Sequence, residues 1–142
     1  MNRQAVSLQS SEINNIVCVA DVLKSISDDK SLSIFQLIAD VNPNGEISLK
    51  KLGLSSKQYY SRISTMMAAG LIKRNRGRYY LSLFGKMIYC CTTIAKSALD
   101  NYYNLKAIEA IEDSGFSNEE FNKLVDALID NQQVKEFLTK KC

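Results

Sequence analysis

A helix that stops at a glycine and is followed at once by a short hairpin is the feature that most constrains this fold. Ser55 is a typical residue before a helix, and Gln58 can complete a capping box with it. Helical spacing of apolar residues continues to Ala69, and Gly70 is a typical terminator. Residues 71–74 and 78–81 have the composition of short strands, and Asn and Gly at 75–77 favour a hairpin turn. The sequence therefore predicts a helix over 56–69 followed by a two-stranded hairpin.

The residues before this helix predict further helices. Residues 49–52 form a short apolar and basic segment that Ser48 can cap and Gly53 can end, which gives a helix-turn-helix with the helix that follows. Residues 13–26 are amphipathic at helical spacing, and start signals at Asp28, Asp29 and Ser31 begin another helix that stops before the Asn42-Pro43-Asn44-Gly45 turn. A single strand bridge is possible at residues 46–47. We predict a flexible N-terminus over 1–12 and a winged-helix domain over 13–86.

A long helix is predicted after Ser82, from residue 83 to about residue 112. Its apolar stripe recurs in steps of three and four, at Phe84, Ile88, Cys91, Ala95, Ala98, Tyr102 and Leu105. Ser117 and Glu120 form a second capping box that opens a short helix, and a last short helix includes Val134 and Leu138. The predicted fold class is mainly α with a small β-hairpin wing, in which residues 87–142 form a helical dimerisation region or C-terminal extension.

Charge is concentrated in one part of the chain. The 142 residues carry a net charge of +3, but residues 47–86 contain nine basic residues and no Asp or Glu. Residues 1–46 contain three basic and six acidic residues, and residues 87–142 contain six basic and nine acidic residues. A surface made only for solubility is better served by mixed charges, whereas a contiguous positive field attracts a polyanion. The charge distribution favours a nucleic-acid partner over a merely solvated basic face.

Several short motifs occur here in a recognisable order. These are Leu54-Ser55-Ser56-Lys57-Gln58-Tyr59-Tyr60-Ser61-Arg62-Ile63, then Ala69-Gly70-Leu71-Ile72-Lys73-Arg74, then Tyr79-Tyr80-Leu81-Ser82 with Gly85-Lys86. The set resembles archaeal winged helix-turn-helix transcriptional regulators, which are broadly similar to the MarR and ArsR groups. The resemblance covers about forty residues and implies a winged-helix fold, double-stranded DNA binding and transcription regulation.

The helix over 56–69 is the predicted recognition helix. A recognition helix presents its N-terminal residues to base edges in the major groove, where Arg and Lys can pair with guanine and Gln with adenine. Its first residues can also hold a phosphate. Cations of the hairpin, with Arg76 at the tip, can grip the backbone or an adjacent minor groove. The predicted DNA-binding residues are Ser55, Ser56, Lys57, Gln58, Tyr60, Ser61, Arg62, Lys73, Arg74, Arg76 and Arg78.

Residue types also bear on the function classes. The chain has no histidine, no phosphate-binding glycine motif and no Cys-x-x-Cys among its four cysteines, so we predict no enzymatic activity, no cofactor and no metal site. The cysteines are expected as free thiols that pack as small hydrophobes, with redox sensing as the alternative. We find no apolar stretch that could span a bilayer and no signal peptide, and we predict a cytoplasmic protein.

Two questions about partners stay open at this stage. The stripe on the helix over 83–112 can form a homodimer, or it can pack within the chain against the helix over 13–26 and the last helices. The predicted function is sequence-specific binding of double-stranded DNA by a dimeric transcription regulator. The alternative is a winged-helix adaptor for chromatin, RNA or protein without strong sequence specificity.

Overall fold

The computed structural model describes residues 18–40 and 49–140. The predictions for the N-terminus over 1–12, for helix residues 13–17, for residues 42–47 and for Ser48 lie outside this range. The described helices are α1 (Val19–Ser25), α2 (Asp29–Asp40), α3 (Leu49–Leu52), α4 (Ser56–Ala68), α5 (Leu83–Asp100), α6 (Tyr102–Glu112), α7 (Asn118–Leu128) and α8 (Gln132–Thr139). Strands β1 (Ile72–Asn75) and β2 (Arg78–Leu81) lie between α4 and α5. The prediction of a mainly α fold with a small hairpin is confirmed.

The chain divides into two compact units, residues 1–89 and residues 90–142. The core of the first unit is built from the inner faces of α2 and α4 and from the segment that joins α4 to β1. Ile34, Phe35, Met66 and Leu71 are fully buried there, and Ile63 is nearly so. The hairpin completes this core, since β1 packs on α4 and β2 packs on α2. Burial of several large apolar side chains, each worth about 1.5–3 kcal/mol, holds α4 and the hairpin in one body.

The end of α4 is closed by a Schellman motif. Gly70 adopts a φ of 77°, and its amide donates to the Met67 carbonyl at 3.0 Å. The Leu71 amide donates to the Met66 carbonyl at 3.0 Å, and the side chains of Leu71 and Met66 are both fully buried. This pattern satisfies the last carbonyls of the helix and turns the chain directly into β1.

Ser82 ties the start of α5 to this same turn. Its hydroxyl donates to the Gly70 carbonyl at 2.6 Å and accepts the Gly85 amide at 2.8 Å. Its backbone amide donates to the Leu71 carbonyl at 3.0 Å. Ser82 therefore caps α5, and the same side chain also closes the base of the hairpin.

The hairpin has a two-residue turn. Ile72 pairs with Leu81 and Asn75 pairs with Arg78, which leaves Arg76 and Gly77 as the turn. Both turn residues have positive φ, 49° for Arg76 and 78° for Gly77, as a type I′ turn requires. Asn75 was expected within the turn, but it lies in β1. The left-handed conformation therefore falls on Arg76, for which it is costly.

The second unit contains the helical residues after Tyr89. Its core consists of Ile108 from α6, Val125 from α7, Ile129 directly after α7, and Val134 from α8. The predicted capping box at the start of α7 is confirmed, since Ser117 Oγ accepts the Glu120 amide at 3.3 Å and the Glu120 carboxylate accepts the Ser117 amide at 3.0 Å. The predicted last short helix is confirmed as α8.

The prediction of one continuous helix over 83–112 is wrong at Asn101. The helix ends at Asp100 and α6 begins at Tyr102. The Asn101 side chain donates to the Ser97 carbonyl at 2.9 Å, and its backbone amide is shared between the carbonyls of Ser97 and Ala98. A short polar side chain that bonds to the preceding turn competes with the regular helical bonds. Apolar periodicity passes across this position and gave no sign of the break.

Gly85 offers a test of the closure between α5 and the α4–β1 turn. Alanine normally stabilises a helix interior over glycine by about 1 kcal/mol. At Gly85, however, a Cβ atom would overlap the Leu71 carbonyl oxygen, which is backbone and cannot yield easily. We expect Gly85→Ala to lower the free energy of unfolding by roughly 1–3 kcal/mol in urea titrations. Lys86→Ala, at the exposed neighbour, should change it by less than about 0.5 kcal/mol. A stabilised Gly85→Ala protein would contradict this closure.

Candidate nucleic-acid interface

Helix α4 has one buried and one exposed row of side chains. Tyr59, Ile63 and Met66 are buried in steps of four and three. Lys57, Ser61 and Ser64 are exposed at the same spacing on the other side. Ser64 was not among the predicted site residues, although its spacing from Lys57 and Ser61 would have indicated it. Met67 lies outside this buried row and is 41% exposed.

The first turn of α4 is held by the predicted capping box. Ser55 Oγ accepts the Gln58 amide at 3.2 Å, and Gln58 Oε1 accepts the Ser55 amide at 3.1 Å. The cap therefore occupies the side-chain oxygen of Gln58, Oε1, and leaves the side-chain nitrogen, Nε2, as the group that can still donate. Ser56 and Lys57 are exposed beside this cap, and Tyr60 is 55% exposed. The structure thus brings Ser55, Ser56, Lys57, Gln58, Tyr60 and Ser61 together at the start of one helix.

Arg62 differs from the other cations of this region. It follows Tyr59 by three positions and precedes Met66 by four, so it lies beside the buried row. Its Nη1 donates to Asp28 Oδ2 and to Ser31 Oγ, both at 3.4 Å, and its side chain is 30% exposed. Its Nε is buried and has no hydrogen-bond partner among the described residues. The structure places this side chain against the start of α2, away from the row of Lys57, Ser61 and Ser64.

Asp28 is the anchor of this contact. Its carboxylate accepts the Ser31 hydroxyl at 2.6 Å and the Ser31 amide at 3.0 Å. The Ser31 hydroxyl and amide, together with the charge of Arg62, hold the pKa of Asp28 below its ordinary value. The group is therefore ionised at neutral pH and can pair with the guanidinium.

The hairpin displays its cations on two faces and at its tip. Residues directly opposite in an antiparallel pair share a face, so Lys73, Tyr80, Asn75 and Arg78 lie on the face away from the buried pair of Ile72 and Leu81. On the inner face, the Arg74 guanidinium lies 6.0 Å from the centre of the Tyr79 ring. Arg76 is exposed at the tip, and neither it nor Lys73 forms an ion pair with another described residue.

The positive charge of residues 47–86 therefore lies on the surface. Eight of its nine cations are exposed: Lys50, Lys51, Lys57, Lys73, Arg74, Arg76, Arg78 and Lys86. Of these, Lys50 and Lys51 in α3 and Lys86 in α5 were not among the predicted site residues. Because the whole window lacks carboxylates, the predicted site could have been extended to these three lysines.

The second unit carries an open apolar groove. It has a volume of about 400 Å³ and is lined by Ile111, Phe116, Glu120, Lys123, Leu124 and Ala127. Its charged residues are already engaged, Glu120 in the cap of α7 and Lys123 with Glu119 at 3.0 Å. Tyr102 and Tyr103 do not line this groove, and each is exposed.

Cysteine placement differs from the expectation of buried thiols. Cys18, Cys90 and Cys91 are free and exposed, whereas Cys142 lies outside the described residues. Over residues 18–40 and 49–140, no group of three or more His, Cys, Asp or Glu side chains is arranged to hold a metal ion. In the same ranges, each helix is too short or too polar to cross a membrane.

Comparison of the chain with protein-family models, with curated proteins and with solved structures found no match.

Proposed function

We propose that this chain is a winged helix-turn-helix regulator that binds double-stranded DNA in a sequence-specific manner, as a homodimer in the cytoplasm. In this proposal α4 enters the major groove and the β1–β2 hairpin is the wing, which lies on the backbone or in the minor groove. The protein performs no chemical step. The observation that carries the proposal is the set of eight exposed cations on α3, α4, the hairpin and the start of α5, in a window without a carboxylate.

The roles of the exposed residues follow from their positions. Lys57, Ser61 and Ser64 form the row of α4 that can face base edges, and the Gln58 amide nitrogen can donate to a base or a phosphate. Lys73 and Arg78 share the outer face of the wing, where they can bind phosphates without reading sequence. In this proposal, side chains of α4 recognise the base sequence, and side chains of the wing bind the phosphate backbone.

Strain at the wing tip supports a binding role for Arg76. A left-handed conformation costs a residue with a Cβ atom roughly 1–2 kcal/mol, and Asn or Gly is the usual choice at this position of a type I′ turn. Arg76 holds that conformation while its side chain is exposed, so no packing offsets the cost. Such strain is typical of functional positions.

Helix α5 supports the proposed dimer. On one side of α5, Gly85 is buried, and Ile88 and Tyr89 are half-buried against the core of the first unit. On the other side, Leu83 and Met87 are 80% and 67% exposed. Cys90 is exposed and continues this outer row at a spacing of three. A row of apolar side chains at steps of four and three is typical of helix pairing, and a two-fold axis would place the same row on both partners. We therefore assign the proposed dimer contact within 83–112 to the face of Leu83, Met87 and Cys90.

The central proposal is tested by DNA selection followed by a salt titration. A duplex selected from random DNA should bind the full chain with a log K against log salt slope of about −5 to −8, if six to nine phosphates are neutralised. The same protein should bind a scrambled duplex and a double-stranded RNA of equal length more weakly. A flat salt dependence would contradict nucleic-acid binding, and equal affinity for all three would favour the adaptor function instead.

The wing is tested by two changes at Arg76. Arg76→Asn and Arg76→Ala should both weaken binding to every duplex and reduce the steepness of the salt slope by about 1, because each removes one phosphate contact. Arg76→Asn should also raise the free energy of unfolding by roughly 1 kcal/mol, since Asn tolerates the left-handed conformation. Arg76→Lys keeps the charge and serves as the control, with a salt slope close to that of the unchanged protein. Undiminished binding by the Asn and Ala proteins would remove the wing from the interface.

The dimer is tested by Met87→Glu. A charge in the centre of an apolar contact is costly to bury, so the dissociation constant of the dimer should rise by at least about tenfold in sedimentation equilibrium. Lys96→Glu places the same side chain at an exposed position of the same helix and should leave the constant unchanged. If the two proteins behave alike, the contact does not use this face of α5.

A further inference from the structure

Asp28 makes two kinds of contact at the start of α2: it caps that helix and it pairs with Arg62. As the residue before the helix, it accepts the amide of Ser31, which is the usual way in which an aspartate caps a helix. Its second carboxylate oxygen accepts the Ser31 hydroxyl and also faces Nη1 of Arg62, 34 residues further along the chain. The cap of α2 is thereby connected to the middle of α4.

Arg62 is placed to hold α4 rather than to reach outward from it. Its Nη1 is shared between Asp28 and Ser31, and its Nε is buried. The neighbouring positions Ser61 and Ser64 are exposed, so α4 has its outward row elsewhere. A rotation of α4 that brought Arg62 outward would expose the adjacent row of Tyr59 and Met66, which are buried in the core. The core and the Asp28 contact therefore favour the same orientation of α4.

We propose that Asp28 and Arg62 are positioning residues, which set the orientation of α4 for sequence-specific binding without touching DNA themselves. This inference rests on the proposed function. Recognition of base edges requires the contacting side chains to be held to within about 0.5 Å, so a small tilt of α4 is enough to disturb the contacts of Lys57 and Ser61. The loss would fall mainly on the selected sequence, because the phosphate contacts of the wing are made by long, flexible side chains and carry no sequence information.

Asp28→Asn is the sharpest test because charge and positioning predict opposite signs. Asn retains the cap of α2 but loses the ion pair. If Asp28 acts only by its charge, or if Arg62 contacts DNA once it is released, removal of a carboxylate strengthens binding. If the two residues position α4, affinity for the selected duplex falls by about fivefold, while affinity for a scrambled duplex changes little and the salt slope is unchanged.

A double-mutant cycle with Arg62→Gln completes the test. Positioning by the pair predicts that Asp28→Asn, Arg62→Gln and the double substitution all lose specificity to the same extent. Arg62→Lys retains a cation that can face Asp28 and should recover part of the affinity for the selected duplex. Binding of the scrambled duplex, measured in parallel, reports that each protein is folded.

Three results would overturn the inference. These are stronger binding by Asp28→Asn, additive losses in the cycle, and a salt slope that becomes less steep by about 1 in Arg62→Gln, which would make Arg62 a phosphate contact. If the unchanged protein binds no duplex at all, the proposed function fails and the inference fails with it. If the unchanged protein binds and the cycle is additive, the inference alone fails.

Discussion

The turn from α4 into β1 determines the arrangement of three elements that carry exposed cations, namely α4, the hairpin and the start of α5. Gly70 ends the helix, Leu71 is buried directly after it, and Ser82 returns from the far end of the hairpin to bond to the carbonyls of both. Gly85 lies against the same Leu71 carbonyl, where a larger residue would collide. Four residues therefore fix α4, the hairpin and the start of α5 to one another, and with them the row of Lys57 and the cations of the hairpin.

Charge and packing are separated within this unit. The side chains that build the core are apolar, and of the nine cations in residues 47–86 the structure half-buries Arg62 alone. Arg62 also pairs with a carboxylate from outside the window, that of Asp28. An ion pair of 3.4 Å that remains in contact with solvent stabilises a fold by about 0–1 kcal/mol, so we assign this pair mainly a role in orientation.

Local signals in the sequence predicted much of this fold. Capping boxes at Ser55 and Ser117 and the stop at Gly70 depend on residues three to five positions apart, and each occurs as expected. The structure explains why a serine and a glycine occur at positions 82 and 85. The Ser82 hydroxyl bonds to the Gly70 carbonyl and to the Gly85 amide, and the absence of a side chain at Gly85 lets α5 approach the Leu71 carbonyl. The resemblance to winged-helix regulators included this serine and glycine, and the structure explains their spacing.

Features that depend on contacts distant in sequence were not predictable in the same way. Helical spacing puts Arg62 beside the buried row of α4, but its contact with Asp28 depends on how the helices pack in the core. The break at Asn101 depends on a side chain that bonds to its own preceding turn, while apolar periodicity continued across it. The outward face of α5 was also placed differently. The apolar stripe expected to form contacts included Phe84 and Ile88, whereas the row of apolar side chains that is most exposed contains Leu83 and Met87.

Backbone amide shifts in the ¹H–¹⁵N spectrum of the full chain, recorded during titration with a selected DNA duplex, would show directly which residues contact DNA. If α4 and the hairpin bind the duplex, the largest changes fall on residues 56–64 of α4 and residues 73–78 of the hairpin, and residues 104–139 change least. Changes concentrated in α7 and α8, with α4 and the hairpin unaffected at saturating DNA, would contradict this binding mode.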